Sequence, residues 1–68
     1  MDFQITTLAE TMNATGFIIE LNDRGIDYIV GEMDNTNDAN DGECTVAIDD
    51  MVYMFSDGEL YDVSVGAL

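Results

Sequence analysis

The dipeptide Asp57-Gly58 stands between two apolar, β-rich runs, MVYMF and ELYDVSV, and no other stretch restricts the fold as much. A two-residue hairpin needs left-handed backbone at its centre, which aspartate tolerates and glycine favours. The two runs therefore pair as neighbouring antiparallel strands. Asp49-Asp50 offers a weaker turn one step earlier, after ECTVAI. A helix running through TVAIDDMVYMF is the rival reading of that stretch.

Upstream, the apolar period changes. Ile5, Leu8, Ala9 and Met12 fall at i, i+3, i+4 and i+7, one face of a helix. The spacing predicts a helix over residues 5–15, capped by Thr6 or by Thr7 with Glu10, and closed by Gly16. From Phe17 the pattern reads with period 2: FIIEL and IDYIVGEM, with NDRG as the turn between them. With Leu21 opposite Ile26, the residues Phe17, Ile19 and Leu21 share a face with Ile26, Tyr28 and Val30. Ile18, Glu20, Asp27 and Ile29 then lie on the other face. The expected fold is α+β in a single domain, residues 1–68. One N-terminal helix packs on an antiparallel sheet of four to five strands, with Leu8, Met12, Ile19 and Val30 in the core.

Between these halves lies DNTNDANDGE, residues 34–43. Asparagines among acids disfavour helix and strand alike, and Asp41-Gly42 is a turn dipeptide, so the tract reads as a loop. Around Asp57-Gly58, a regular hairpin puts Val52, Met54, Tyr61 and Val63 on one face. Met51, Tyr53, Phe55 and Leu60 fall on the other. Both faces are apolar and one helix covers one of them. Either the long loop and sheet curvature close over the second face, or that face is a patch for self-association or a partner.

Charge then limits the partners. Fifteen Asp and Glu stand against one cation, Arg24, a formal charge of -14. Direct binding of nucleic acid or of an anionic membrane requires cations that this chain lacks. The expected partner is basic, and the chain itself a monomer or weak homodimer. Apolar content is that of a folded domain, although 68 residues bury only about 60% of the unfolded chain's surface. A lone cysteine, Cys44, allows no internal disulfide; it reads as a buried small hydrophobe on a strand, with an intermolecular bridge as the alternative. MDFQITT has no signal-peptide pattern and no run suits a bilayer, so the expected location is the cytoplasm.

Catalytic chemistry is sparse. With no histidine or lysine and serines only at 56 and 64, the usual general bases and Ser-His or Cys-His pairs are missing. The expectation is no enzyme, no cofactor and no metal. Calcium is tested by setting Gly42 at the sixth position of an EF-hand loop. Position 1 becomes Asn37, position 3 Ala39 and position 12 Ile48, and three ligands fail.

The acids themselves have three readings: a solubilising coat, adaptation to high salt, or imitation of a nucleic-acid backbone. Strand residues i and i+2 lie about 6.6 Å apart, close to the rise of two successive phosphates at about 3.4 Å each. Glu59 and Asp62 with Asp57 at the hairpin tip form part of such a row. Asp49 and Asp50 at the neighbouring turn add to it, and Asp34, Asp38, Asp41 and Glu43 extend it along the loop. In length, charge, helix-plus-sheet pattern and lack of catalytic groups the chain resembles the small acidic anti-CRISPR proteins of phages and mobile elements. No motif carries that resemblance. It implies a DNA-mimic inhibitor of a type I CRISPR effector (Cascade), acting on its basic DNA-binding surface in the host cytoplasm. Acidic inhibitors of restriction enzymes, nucleoid proteins or transcription factors share the composition and stay open.

Overall fold

The computed structural model describes residues 2–65, with side chains from Ile5 onward. Two helices, α1 (Asp2–Thr11) and α2 (Ala14–Asp23), precede four strands: β1 (Ile29–Met33), β2 (Glu43–Ile48), β3 (Met51–Ser56) and β4 (Glu59–Val65). The strands form one antiparallel meander in the order β1-β2-β3-β4. The α+β class expected from the sequence holds, with two helices on the sheet and not one.

The second helix replaces the expected strand at FIIEL. Ala14, Phe17 and Leu21 are its buried residues, spaced i, i+3 and i+7 as one helical face requires. Within five residues that face and a period-2 strand share Phe17 and Leu21, so the short window fits both. Two end signals settle it. Asn13 is the N-cap, its side chain accepting from the Gly16 amide at 2.7 Å. At the other end Gly25, with φ 69°, gives its amide to Asn22 O, and the Ile26 amide reaches Leu21 O at 3.0 Å. That pair of bonds is a Schellman closure, so NDRG ends a helix and makes no hairpin. Ile19, expected in the core, is 55% exposed. Gly16 likewise closes no helix; it sits in the first turn of α2.

Helix α1 begins before the expected cap, and Thr6 and Thr7 lie inside it. Its end is shaped by Thr11, whose hydroxyl donates to the Thr7 and Leu8 carbonyls at 3.0 and 3.3 Å. Thr6 faces the sheet, its hydroxyl 3.1 Å from that of Tyr53. This bond satisfies the polar end of an otherwise buried tyrosine.

The core lies between the helices and one face of the sheet. Phe17 stands over Tyr53 and Phe55, with ring centroids 5.4 and 5.5 Å apart in tilted geometry. Leu21, Val46, Cys44 and Ile48 are the other larger buried side chains, Ala9, Ala14 and Ala39 fill the space between them, and Leu8, Met12 and Val30 pack at the margin, partly buried. Cys44 is therefore a free, buried strand residue. Burial pushes its thiol up from the ordinary 9.0. The folded state holds that proton more tightly than the unfolded chain, so the associated stability is intact below pH 9.0 and lost as pH rises above it. The urea midpoint of the wild type, compared with that of Cys44→Ala at each pH, should show the wild type losing ground only on the alkaline side.

Both tight turns appear where the sequence placed them. Asp57 (φ 51°) and Gly58 (φ 87°) give the positive pair of a type I′ hairpin, and Asp49 (φ 55°) turns β2 into β3. The helix considered for TVAIDDMVYMF does not form. One detail of the β3–β4 hairpin differs. Phe55 pairs with Leu60 but Met54 pairs with Asp62, so Tyr61 is an extra residue, a bulge. It moves Val63 opposite Tyr53, onto the core face and away from Val52 and Met54. A second irregularity lies in β1, where an alanine Cβ at Gly31 would meet the Thr45 hydroxyl at 2.5 Å. That hydroxyl accepts the Glu32 amide at 2.8 Å, serving the backbone group that the bulge frees.

Candidate partner-binding surface

The acidic loop is tied down at several points. Asp34 closes it: its amide donates to Glu43 O at 3.0 Å and its carboxylate accepts the Glu43 amide at 3.1 Å. Asn35 accepts the Asn37 amide and Asp38 accepts the Asn40 amide, both at 2.9 Å. These are side-chain turns two residues long. The Asn35 amide group donates to Asp41 at 3.1 Å across the loop. Ala39 is buried in the core, which holds the middle of the tract against the protein.

Asn40 answers why so many polar residues stand there. Its side-chain oxygen accepts the Thr15 amide at 3.0 Å, while Gly58 O accepts the Ala14 amide at 3.0 Å. With Asn13 serving Gly16, the first three amides of α2 all have partners. An α-helix leaves such amides unsatisfied at its start; here the loop and the hairpin supply the acceptors. Asp57 joins loop to hairpin, its amide on Gly42 O at 2.8 Å and its carboxylate accepting from the Gly42 amide at 3.2 Å. Gly58 is buried beside Asn40, whose atoms would lie 3.1 to 3.2 Å from an added Cβ. Asn40→Ala leaves a part-buried amide without its acceptor, costing about 1–3 kcal/mol. A denaturant titration should show this as a lower midpoint with unchanged slope.

Antiparallel order sorts the nine acids named from the sequence. The β1–β2 loop and the β3–β4 turn lie at one end of the meander. They gather Asp34, Asp38, Asp41 and Glu43 with Asp57 and Glu59. Asp49 and Asp50 do not extend this group. The β2–β3 turn is at the opposite end, one six-residue strand away, or roughly 20 Å. Asp62 lies between the ends, opposite Met54, its carboxylate accepting its neighbour's amide from Val63 at 2.9 Å. All nine are exposed.

These carboxylates differ in what else they do. Asp34, Asp38, Asp41 and Asp57 hold backbone or side-chain donors of the loop. Glu43 and Glu59 make no such bond and project as free charges. Beside Glu59 an open groove of about 360 Å³ separates the hairpin from the end of α1, with Glu10 on its far wall. The one cation is remote from this end. Arg24 caps the far end of the ten-residue α2, roughly 15 Å along the helix, and pairs with Glu20 at 2.8 Å. Thirteen of the fourteen acidic side chains described are exposed, Glu20 being the half-buried exception.

Such one-signed surfaces repel themselves. Raising NaCl from 0.05 to 1 M screens them and should raise the melting temperature, by about 4–8 °C for each kcal/mol relieved in a domain of this size. A melting temperature flat with salt would contradict a repulsive surface. A chain unfolded in dilute buffer would fit salt adaptation.

No group of three or more acidic or cysteine side chains among the described residues is arranged to hold a metal ion. No described helix is long and apolar enough to cross a membrane. Comparison with protein-family models, with curated proteins and with solved structures finds no match for this chain.

Proposed function

We propose that this protein is an acidic DNA-mimic inhibitor that occupies a basic, DNA-binding surface of another protein, a type I CRISPR effector complex (Cascade) being the preferred target. The observation that carries this reading is the loop end of the sheet. Six carboxylates meet there on backbone fixed by the Asp34, Asp38, Asn40 and Asp57 bonds, and the only cation lies at the other end of α2. A fixed anionic array loses little conformational freedom on binding. It also attracts a basic groove from a distance, which raises the association rate. The phosphate backbone offers the same two properties to the same groove.

The test is a competition. Purified type I effector with its guide binds a labelled target duplex, and the acidic protein is added in increasing amount. The expected result is displacement of the duplex, weakening steeply between 0.05 and 0.3 M NaCl. Unchanged duplex binding at saturating protein sinks the proposal for this target. The same titration with a restriction enzyme or a nucleoid protein tests the other basic surfaces.

A further inference from the structure

The two helices cover only one face of the sheet, and the other face has an organisation of its own. Cross-strand register aligns Ile29, Ala47, Val52 and Ser64 in one row, and Thr45, Met54 and Asp62 in the next. Along β2 and β3 these residues alternate with the buried Cys44, Val46, Tyr53 and Phe55, so they lie on the side away from the helices. Ile29 is 71% exposed, and Val52 and Met54 are partly buried, open to solvent over a minority of their surface. Around this apolar centre the perimeter is acidic. Glu43 and Glu59 occupy the row beyond Thr45 and Met54, Asp49-Asp50 turns at the opposite end, and Asp62 stands on β4. No cation lies on any of the four strands or their connections.

We infer that this open face is the docking surface for the partner, and that the partner meets it with an apolar protrusion ringed by lysine or arginine. The inference rests on the reading above that the partner is basic. Three observations select that chemistry. First, four strands of five to seven residues make a face of roughly 400 Å² at about 4.8 Å between strands and about 3.3 Å per residue, so a standard interface of ~800 Å² per partner takes in the acidic rim as well as the apolar centre. Second, a dry apolar centre within a polar rim is how binding energy concentrates in stable interfaces, and methionine is enriched there. Third, the rim has a single sign. A second copy would set acid against acid with -14 on each chain, and an anionic lipid surface would be repelled in the same way. Short side chains at Ala47, Thr45, Ser56 and Ser64 leave the centre shallow enough for a partner residue to reach Val52 and Met54.

The experiment uses two hexapeptide probes, (Arg-Trp)₃ and (Arg-Ser)₃, titrated into the isotopically labelled full chain and followed by NMR. The expected result is that (Arg-Trp)₃ binds at least tenfold more tightly and shifts the amides of Ala47, Val52 and Met54. Val52→Thr and Met54→Gln should remove that advantage while leaving (Arg-Ser)₃ affinity unchanged. Ile29→Thr, at a position 71% exposed, repeats the test should either variant melt early. Equal affinity for the two peptides, or shifts confined to residues 34–43 and 57–59, overturns the docking face and leaves the charge reading standing. Failure of both peptides to bind at millimolar concentration overturns the basic-partner reading itself. Sedimentation showing a dimer in 0.15 M salt assigns the face to a second copy and overturns the inference.

Discussion

Phe17→Ala should unfold most of the protein at 25 °C, or lower its melting temperature by at least about 12 °C. Phe17 is fully buried and is the one aromatic ring that α2 lays on both Tyr53 and Phe55. Removing a buried phenylalanine costs about 3–5 kcal/mol. A domain of this length has roughly 3–10 kcal/mol in total, at 0.05–0.15 per residue. Each kcal/mol moves the melting temperature by about 4–8 °C. The informative partner is Ile19→Ala. Two residues along in FIIEL, it would be equally damaging if the stretch were a strand with Phe17 and Ile19 on one face. As a helix residue 55% exposed, it should change stability by no more than about 0.5 kcal/mol. Circular dichroism melts of the two variants, side by side, decide between the helix and the strand. Two equally severe losses would refute α2.

The second large effect is on binding. Glu43→Lys with Glu59→Lys should lower affinity for the effector by at least a hundredfold in 0.1 M salt, with the fold retained. Two reversals change the charge by four units, from -14 to -10, and do so at the loop end of the sheet, where both residues flank Ser56. Truncating one partner of a desolvated charge pair costs about 2–5 kcal/mol, and reversal adds repulsion to that loss. These two sites are chosen because their side chains hold no part of the structure together. Reversing Asp34, Asp38, Asp41 and Glu43 together is a poorer test than the sequence suggests. Lysine at Asp34 removes the acceptor of the Glu43 amide and crowds Gly42, which already stands against the Asp34 side chain. Asp23→Lys with Asp27→Lys, outside the loop end, makes the matched control. Equal loss from both pairs would mean that net charge, and not the array, governs binding.

How much of this was legible in the residues differs from element to element. The hairpin at Asp57-Gly58, the turn at Asp49-Asp50 and the burial of Cys44 follow from local chemistry. A positive-φ pair admits few residue types, and an alternating run between two turns pairs with its neighbours and buries one of its two faces. The outward placement of the acids follows as well, because a core cannot take carboxylates without cations and the chain has one. Even the separation of Asp49 and Asp50 from the other acids is implied by chain reversal: successive turns of a meander lie at opposite ends.

The fate of FIIEL depended on its surroundings. Phe17 and Leu21 satisfy both periods, and the choice belongs to contacts distant in sequence: Asn40 and Gly58 on the amides of α2, and Tyr53 and Phe55 beneath Phe17. The bulge at Tyr61, which transfers Val63 to the core face, is likewise a property of the paired strands and not of either one. The loop shows the division within ten residues. Composition determined that it turns and carries charge, since asparagine and aspartate bond their own backbone. Only the folded chain decided that Asn40 would complete a helix start from 25 residues away, because a helix's unpaired amides take whichever acceptor the packing brings to them.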